Sequence, residues 1–182
     1  VESGVARTRR SLVEGLVAAC MRNLELVSGV KRIFSTSNMP MPTQRSEYLK
    51  GALNDLAVFR DEAVRVGALS KDECKAVVVE VIHEATKGLH AAVKHVLANA
   101  KRQQESLDKL NRNKAKAAPA DKPREKIVMQ LYLDVHEYGD MLRGFGVNKE
   151  TDEAFKALLA LVNDRAQWVL NECQGPEPAD TH

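Results

Sequence analysis

The chain has 182 residues, of which 44% are hydrophobic, 29% charged and only 4% aromatic. This length and hydrophobic fraction suit one domain with a core, and the residue mixture favours long helices over sheets. The formal net charge of +2, the difference between 27 basic and 25 acidic residues, provides no general attraction to nucleic acid.

The first part of the chain predicts two helices separated by a loop. Apolar residues recur at helical spacing over 5–30. Pro40 and Pro42 exclude a helix from 35–43, because proline lacks an amide donor and forces the residue before it to extend. A second helix is predicted from Ser46, which can cap it, to Gly67, where a left-handed C-cap is required.

A capping box predicts where the longest helix begins. Ser70 and Glu73 are spaced so that the serine oxygen and the glutamate carboxylate reach each other's backbone amides. Apolar residues then step mainly by threes and fours from 71 to about 112, a helix of roughly 60 Å. Its C-terminal half is expected to pack as a protruding hairpin or against another element. The alternative is a break near Asn99.

The last part of the chain predicts a linker, two helices and a tail. Alanine, lysine and two prolines replace the apolar pattern over 111–124, which is the composition of a flexible basic linker. Helical periodicity resumes over 125–143, ends at Gly144 and Gly146, and returns over about 151–172. We therefore predict an all-α, elongated bundle of about five helices. Its parts are a bundle with a long third helix (1–113), a flexible basic linker (114–124), a C-terminal helical hairpin (125–172) and a disordered tail (173–182).

Glu80 and His83 form the pattern that most resembles a metal site. A glutamate and a histidine three residues apart on one helix are half of the ligand set of carboxylate-bridged di-metal bundles. The helix over 125–143 has no second such pair, so the preferred interpretation is an exposed charged face. No phosphate-binding loop or nucleophile motif is present. We predict no catalytic, cofactor or metal site, with a helical-bundle metal-binding protein or enzyme using Glu80 and His83 as the alternative.

The cysteines and the apolar segments indicate the compartment. Cys20, Cys74 and Cys173 are far apart and odd in number, which favours reduced thiols in the cytosol. No window approaches the roughly 20 apolar residues of a membrane-spanning helix, and the start has no signal-peptide core. Because the chain starts with Val1 and a helix is predicted almost at once, we expect it to be a fragment of a longer protein.

Basic residues are frequent between Lys101 and Lys126. Such a run can bind anionic lipid or nucleic acid through counterion release. Acidic residues interrupt it, however, and no aromatic residue is interleaved for base stacking. The preferred interpretation is a solvated linker, and direct contact with a membrane is the alternative.

The segment 126–147 carries a recognisable signature. It reads KIVMQLYLDV over 126–135, followed by Gly139 and by an apolar-Gly-apolar turn at 145–147. This pattern resembles the C-terminal signature of subunit two of the conserved oligomeric Golgi complex. Weaker similarities extend the resemblance to about 40–165, including a Pro-Ser-Tyr helix start at Pro42, Ser46 and Tyr48. The chain departs from the family at 54–55, where Lys-Pro is common, and 1–35 matches only in helical character.

The resemblance implies a non-enzymatic subunit of a Golgi vesicle-tethering complex, acting as a helical scaffold in intra-Golgi retrograde transport. The implied partners are other tethering-complex subunits, with fusion proteins or small GTPases as further candidates and no nucleic acid. The implied localisation is the cytosol and the cytoplasmic face of Golgi membranes, where the complex holds the subunit peripherally. No cofactor is implied.

Overall fold

The computed structural model describes residues 4–36, 39–111, 122–148 and 150–171. Within these ranges the chain forms helices and turns and no strand. The α-helices are α1 (Gly4–Leu24), α2 (Ser28–Thr36), α3 (Asn54–Arg65), α4 (Lys71–Asn111), α5 (Pro123–Arg143) and α6 (Glu153–Leu170). The prediction of an all-α bundle with one long helix is confirmed.

The structure describes only the last residues of the predicted linker and none of the predicted tail. Residues 114–121 of the linker and the whole tail, 173–182, lie outside the described residues. The last residues of the predicted linker belong to a helix, because α5 begins at Pro123. Proline suits this first helical position, since its missing amide donor has no partner there in any case.

Two predicted helices differ from those observed. A 3-10 turn, Glu25–Val27, separates α1 from α2, so the helix predicted over 5–30 is divided. The α-helix predicted from Ser46 begins only at Asn54, after a 3-10 helix over Glu47–Gly51. Its end is as predicted, since Gly67 has the left-handed φ of +67°.

The start of α4 is the predicted capping box. The Ser70 amide donates to Glu73 Oε2 at 2.9 Å, and the Glu73 amide donates to Ser70 Oγ at 3.2 Å. From there α4 runs unbroken for 41 residues, so the alternative of a break near Asn99 is wrong. At about 1.5 Å per residue α4 is roughly 60 Å long and is the axis of the bundle.

Helices α1 and α2 run beside α4 in the same direction. Near the start of α1, Arg9 Nη2 lies 2.8 Å from Glu80 Oε2. Near the end of α2, Ser35 Oγ donates to Gln103 Oε1 at 3.1 Å. Residue numbers therefore rise together along the two sides of this contact.

Helices α5 and α6 form an antiparallel hairpin that packs on α4. The guanidinium of Arg124, at the start of α5, lies 4.7 Å from the ring centroid of Trp168, at the end of α6. His83 Nδ1 of α4 lies 3.1 Å from Asp152 Oδ2, just before α6. Thr86 Oγ1 of α4 lies 3.0 Å from the Tyr138 hydroxyl of α5, so both helices of the hairpin contact α4 near residues 83–86.

A hydrophobic core joins the predicted N-terminal bundle to the predicted hairpin. Among the described residues, one cluster of buried side chains contains members of every α-helix. Its largest fully buried side chains are Tyr138, Phe155, Leu24, Leu49, Leu56, Ile82, Leu89, Ile127, Leu131, Leu142, Leu158 and Leu161. The domain boundaries at 113, 124 and 172 stay a prediction. None of the described helices is both long and apolar enough to cross a membrane.

A buried polar clamp and an apolar groove as candidate functional sites

Asp134 of α5 is the centre of a buried polar network. Asp134 is only 1% exposed. Asp134 Oδ1 accepts from the Ser46 amide at 2.6 Å and Oδ2 accepts from the Ser46 hydroxyl at 2.7 Å. Gln130 Nε2 donates to Asp134 Oδ1 and to the Gln44 carbonyl, both at 2.9 Å. The Tyr48 hydroxyl also donates to Asp134. We call these five residues the polar clamp.

Local sequence explains how each half of the polar clamp forms. Gln130 and Asp134 are four residues apart, so they lie on the same face of α5. Ser46 is the N-cap of the following 3-10 helix and is extended, with φ of −72° and ψ of 147°, but its side chain makes no capping hydrogen bond. The clamp thus fastens the segment before α3 to α5, because the Ser46 hydroxyl, which could cap a helix, donates to the buried Asp134 carboxylate instead.

Burial controls protonation in the polar clamp. Removal from water raises the pKa of Asp134, while hydrogen bonds from Ser46, Gln130 and Tyr48 act in the opposite direction. Burial, and after it the Asp134 carboxylate, raises the pKa of Tyr48. Tyr48 therefore keeps its proton and serves as a donor. The polar atoms of the clamp bind one another, which suits a structural fastening and leaves no exposed reactive group.

An apolar groove lies at one end of the bundle, between the start of α1 and the start of α4. Its volume is about 910 Å³. We call it the N-terminal groove. Arg9, Asp72 and Glu73 are the charged residues of its lining. Most of the remaining lining is apolar and comes from Val5, Thr8, Leu12, Leu69, Ala76 and Val77. Val5 is 81% exposed, so this face presents apolar surface to solvent.

Comparison with known proteins identifies the family. The family model described as "COG complex component, COG2, C-terminal" matches residues 1–135. The chain belongs to this family. The match begins well upstream of the signature at 126–147, so 1–35 resembles the family in more than helical character.

Curated relatives carry the same family name. The chain is 24% identical over 165 residues to conserved oligomeric Golgi complex subunit 2 of Dictyostelium discoideum, covering 86% of this chain and 18% of the relative. It is 26% identical over 164 residues to subunit 2 of Homo sapiens, which covers 83% of this chain and 21% of the relative. It is 23% identical over 146 residues to subunit 2 of Arabidopsis thaliana, which covers 76% of this chain and 19% of the relative. The chain spans about a fifth of the length of these relatives. No solved structure gives a significant match.

The polar clamp brings together the two segments on which the family resemblance depends. Ser46 and Tyr48 belong to the Pro-Ser-Tyr start, and Gln130 and Asp134 belong to the signature over 126–135. The sequence pattern identifies both segments but does not predict their contact. The signal available was that each segment carried polar residues within an apolar pattern, which is unusual at core positions.

The signature segment 126–147 also contains a tight contact between α5 and α6. Gly139 lies against Phe155, so closely that a Cβ atom at 139 would be 2.4 Å from Phe155 Cζ. A glycine allows the two helices to pack at this distance. This part of the signature therefore has a packing role.

Glu80 and His83 each have a structural partner. Glu80 pairs with Arg9 across α1 and α4. His83 contacts Asp152, whose other oxygen accepts the Phe155 amide at 2.8 Å and so caps α6. In the described part of the chain, no group of three or more histidine, cysteine, aspartate or glutamate side chains is arranged to hold a metal ion. The metal-binding alternative thus gains no supporting geometry.

Two of the three cysteines are free and buried. Cys20 is 1% and Cys74 is 2% exposed, and neither forms a disulfide. Burial, with a smaller contribution from Asp55, raises the pKa of Cys20 to about 11. Both side chains contribute to packing, and burial also raises the pKa of Cys74. Cys173 lies outside the described residues.

Proposed function

We propose that the chain is a non-enzymatic part of a Golgi vesicle-tethering complex and acts as a helical scaffold in intra-Golgi retrograde transport. The observation that carries this proposal is the match of 1–135 to a component of the COG complex. A bundle with a continuous core and buried, mutually satisfied polar groups is in keeping with a scaffold. The proposed location is the cytoplasmic face of Golgi membranes, with attachment through the complex.

The proposed partners are other subunits of the tethering complex. The N-terminal groove is the surface that fits them best, because apolar side chains line it and parallel helices form its walls. An amphipathic helix of a sibling subunit would place its apolar face against such a surface. Fusion proteins and small GTPases are further proposed partners of the complete subunit.

A pull-down from cell extract tests the proposal. The full-length subunit would serve as bait, and mass spectrometry would identify the recovered proteins. We expect recovery of other tethering-complex subunits. Their absence from the wild-type sample would contradict the tethering role.

A pair of matched variants tests the groove separately. Val5→Glu places a charge in the N-terminal groove, whereas Val58→Glu places the same charge on α3 at a side chain of similar character, 62% exposed. We expect Val5→Glu to reduce recovery of a sibling subunit and Val58→Glu to leave it unchanged. Equal recovery with both variants would exclude the groove while leaving the tethering role in place.

A further inference from the structure

The chain between α2 and the 3-10 helix has no helix, strand or turn over 39–43. We call these five residues the Met-Pro segment. The ring of a proline fixes φ at about −65°, and the residue before a proline is restricted to extended conformations. Met39 and Met41 precede Pro40 and Pro42. Four consecutive residues are therefore restrained toward the polyproline II helix, which has a similar φ and no internal hydrogen bonds.

Most of the Met-Pro segment is open to solvent. Met39 and Met41 are each 44% exposed, Pro40 and Thr43 are exposed, and Pro42 is half-buried. In the described part of the chain, no backbone amide or carbonyl of 39–43 takes part in a hydrogen bond. The segment therefore presents apolar side chains together with backbone carbonyl groups that can accept hydrogen bonds from another molecule.

The residues that follow fasten the Met-Pro segment to α5. The Gln44 carbonyl accepts from Gln130 Nε2 at 2.9 Å, and Arg45 forms an ion pair with Glu137. Ser46 is held in the polar clamp. Because three consecutive residues are held on α5, the segment before them has less conformational entropy to lose on binding than the same residues in a free peptide.

We propose that the Met-Pro segment is a docking site for a protein module whose binding groove is lined by aromatic side chains. Such modules bind proline-containing segments in the polyproline II conformation, and methionine sulfur makes favourable contacts with aromatic rings. Addition of a β-strand fits the segment less well, because Pro40 and Pro42 have no amide donors for a ladder. This contact goes beyond the proposed scaffold role, since it involves neither the N-terminal groove nor a sibling subunit's helix.

Titration of the purified chain with a panel of SH3, WW and EVH1 domains tests this inference. These domains are the probes because their aromatic-lined grooves bind polyproline II segments. We expect at least one domain to bind with micromolar affinity. In nuclear magnetic resonance spectra of the nitrogen-15-labelled chain, the largest shift changes should be those of the Met39, Met41 and Thr43 amides.

Proline variants separate the Met-Pro segment from the rest of the surface. Pro40→Ala with Pro42→Ala removes both rings and the restraint on φ, so affinity should fall by roughly tenfold or more. Pro123→Ala is the matched control, because this proline starts α5 and alanine is also favourable in a helix. It should leave affinity unchanged. Circular dichroism would verify folding, and if the double variant did not fold, competition by a synthetic peptide of residues 39–46 would replace it.

The outcomes divide clearly. Binding that shifts the amides of the Met-Pro segment and that only the double variant, or the competing peptide, removes would support the proposal. Absence of binding to every domain, shift changes confined to other residues, equal weakening by both variants, or failure of the peptide to compete would overturn it. Because the assay contains no tethering subunit, failure here leaves the pull-down result intact, and failure of the pull-down leaves this result intact.

Discussion

Replacement of Gly139 by alanine should destabilise the bundle, because the backbone of α5 at this residue lies directly against the Phe155 ring of α6. The added Cβ atom would lie 2.4 Å from Phe155 Cζ and 3.1 and 3.2 Å from its two Cε atoms. Phe155 is 1% exposed, so its ring is enclosed by the core. Either the helices must separate or the ring must leave its preferred rotamer.

The size of the effect follows from two opposing contributions. Overpacking of a core costs about 1–3 kcal/mol, whereas alanine in place of a helical glycine stabilises by about 1 kcal/mol. We expect Gly139→Ala to lower the free energy of unfolding by up to about 2 kcal/mol. Gly15 of α1 is the matched control, since a Cβ atom there has no neighbour within 4 Å. Gly15→Ala should raise the free energy of unfolding by about 0.5–1 kcal/mol.

Urea unfolding followed by far-ultraviolet circular dichroism measures both variants. A second background sharpens the test, because Phe155→Leu removes the ring atoms that the new methyl group would strike. In that background Gly139→Ala should no longer be destabilising, and the double-mutant cycle should give a coupling free energy. If Gly139→Ala and Gly15→Ala raised stability alike, the packing argument would be refuted.

Three further predictions concern the polar clamp, the thiols and the start of α4. Burial raises the folded-state pKa of Asp134 above its ordinary value of 3.8. The wild-type chain should therefore lose stability, relative to Asp134→Asn, as the pH rises from 3.8 toward the folded-state pKa. Urea unfolding at a series of pH values would measure this loss. In a Cys173→Ser background, Cys20 and Cys74 should react with Ellman's reagent only as fast as the chain opens, because both are buried and thiolates are the reactive form. Ser70→Ala should lower the free energy of unfolding by about 1 kcal/mol, because it removes the serine oxygen that accepts the Glu73 amide.

Each of these predictions has a contrary result. Parallel pH profiles for the wild-type chain and Asp134→Asn would show that the carboxyl is not perturbed by folding. Rapid thiol labelling of the folded chain would contradict burial of the two cysteines. For the capping box, Ser11→Ala changes an exposed serine inside α1 and serves as the control. Equal stability of the two serine variants would remove the cap as a contributor.

The features predicted best from sequence are those that depend on neighbours in the chain. The capping box at Ser70 and Glu73 joins residues three positions apart, and the unbroken apolar repeat of α4 reflects one helical face. The predicted start of α3 is wrong because it depends on a residue that is distant in the chain. Ser46 has the chemistry of a helix cap, but its amide and hydroxyl bind Asp134, which is 88 residues away.

The sequence by itself determined the helical class, the long helix and the family, since periodicity, caps and the signature at 126–135 are readable along one chain. Tertiary structure decided that Gly139 faces Phe155, that the signature residue Asp134 holds Ser46, and that the end of α2 contacts α4 at Gln103. These relations depend on which faces pack together and in which direction each helix runs. The packing of apolar faces from segments far apart in the chain determines these relations, and the spacing of residues within one segment does not predict them.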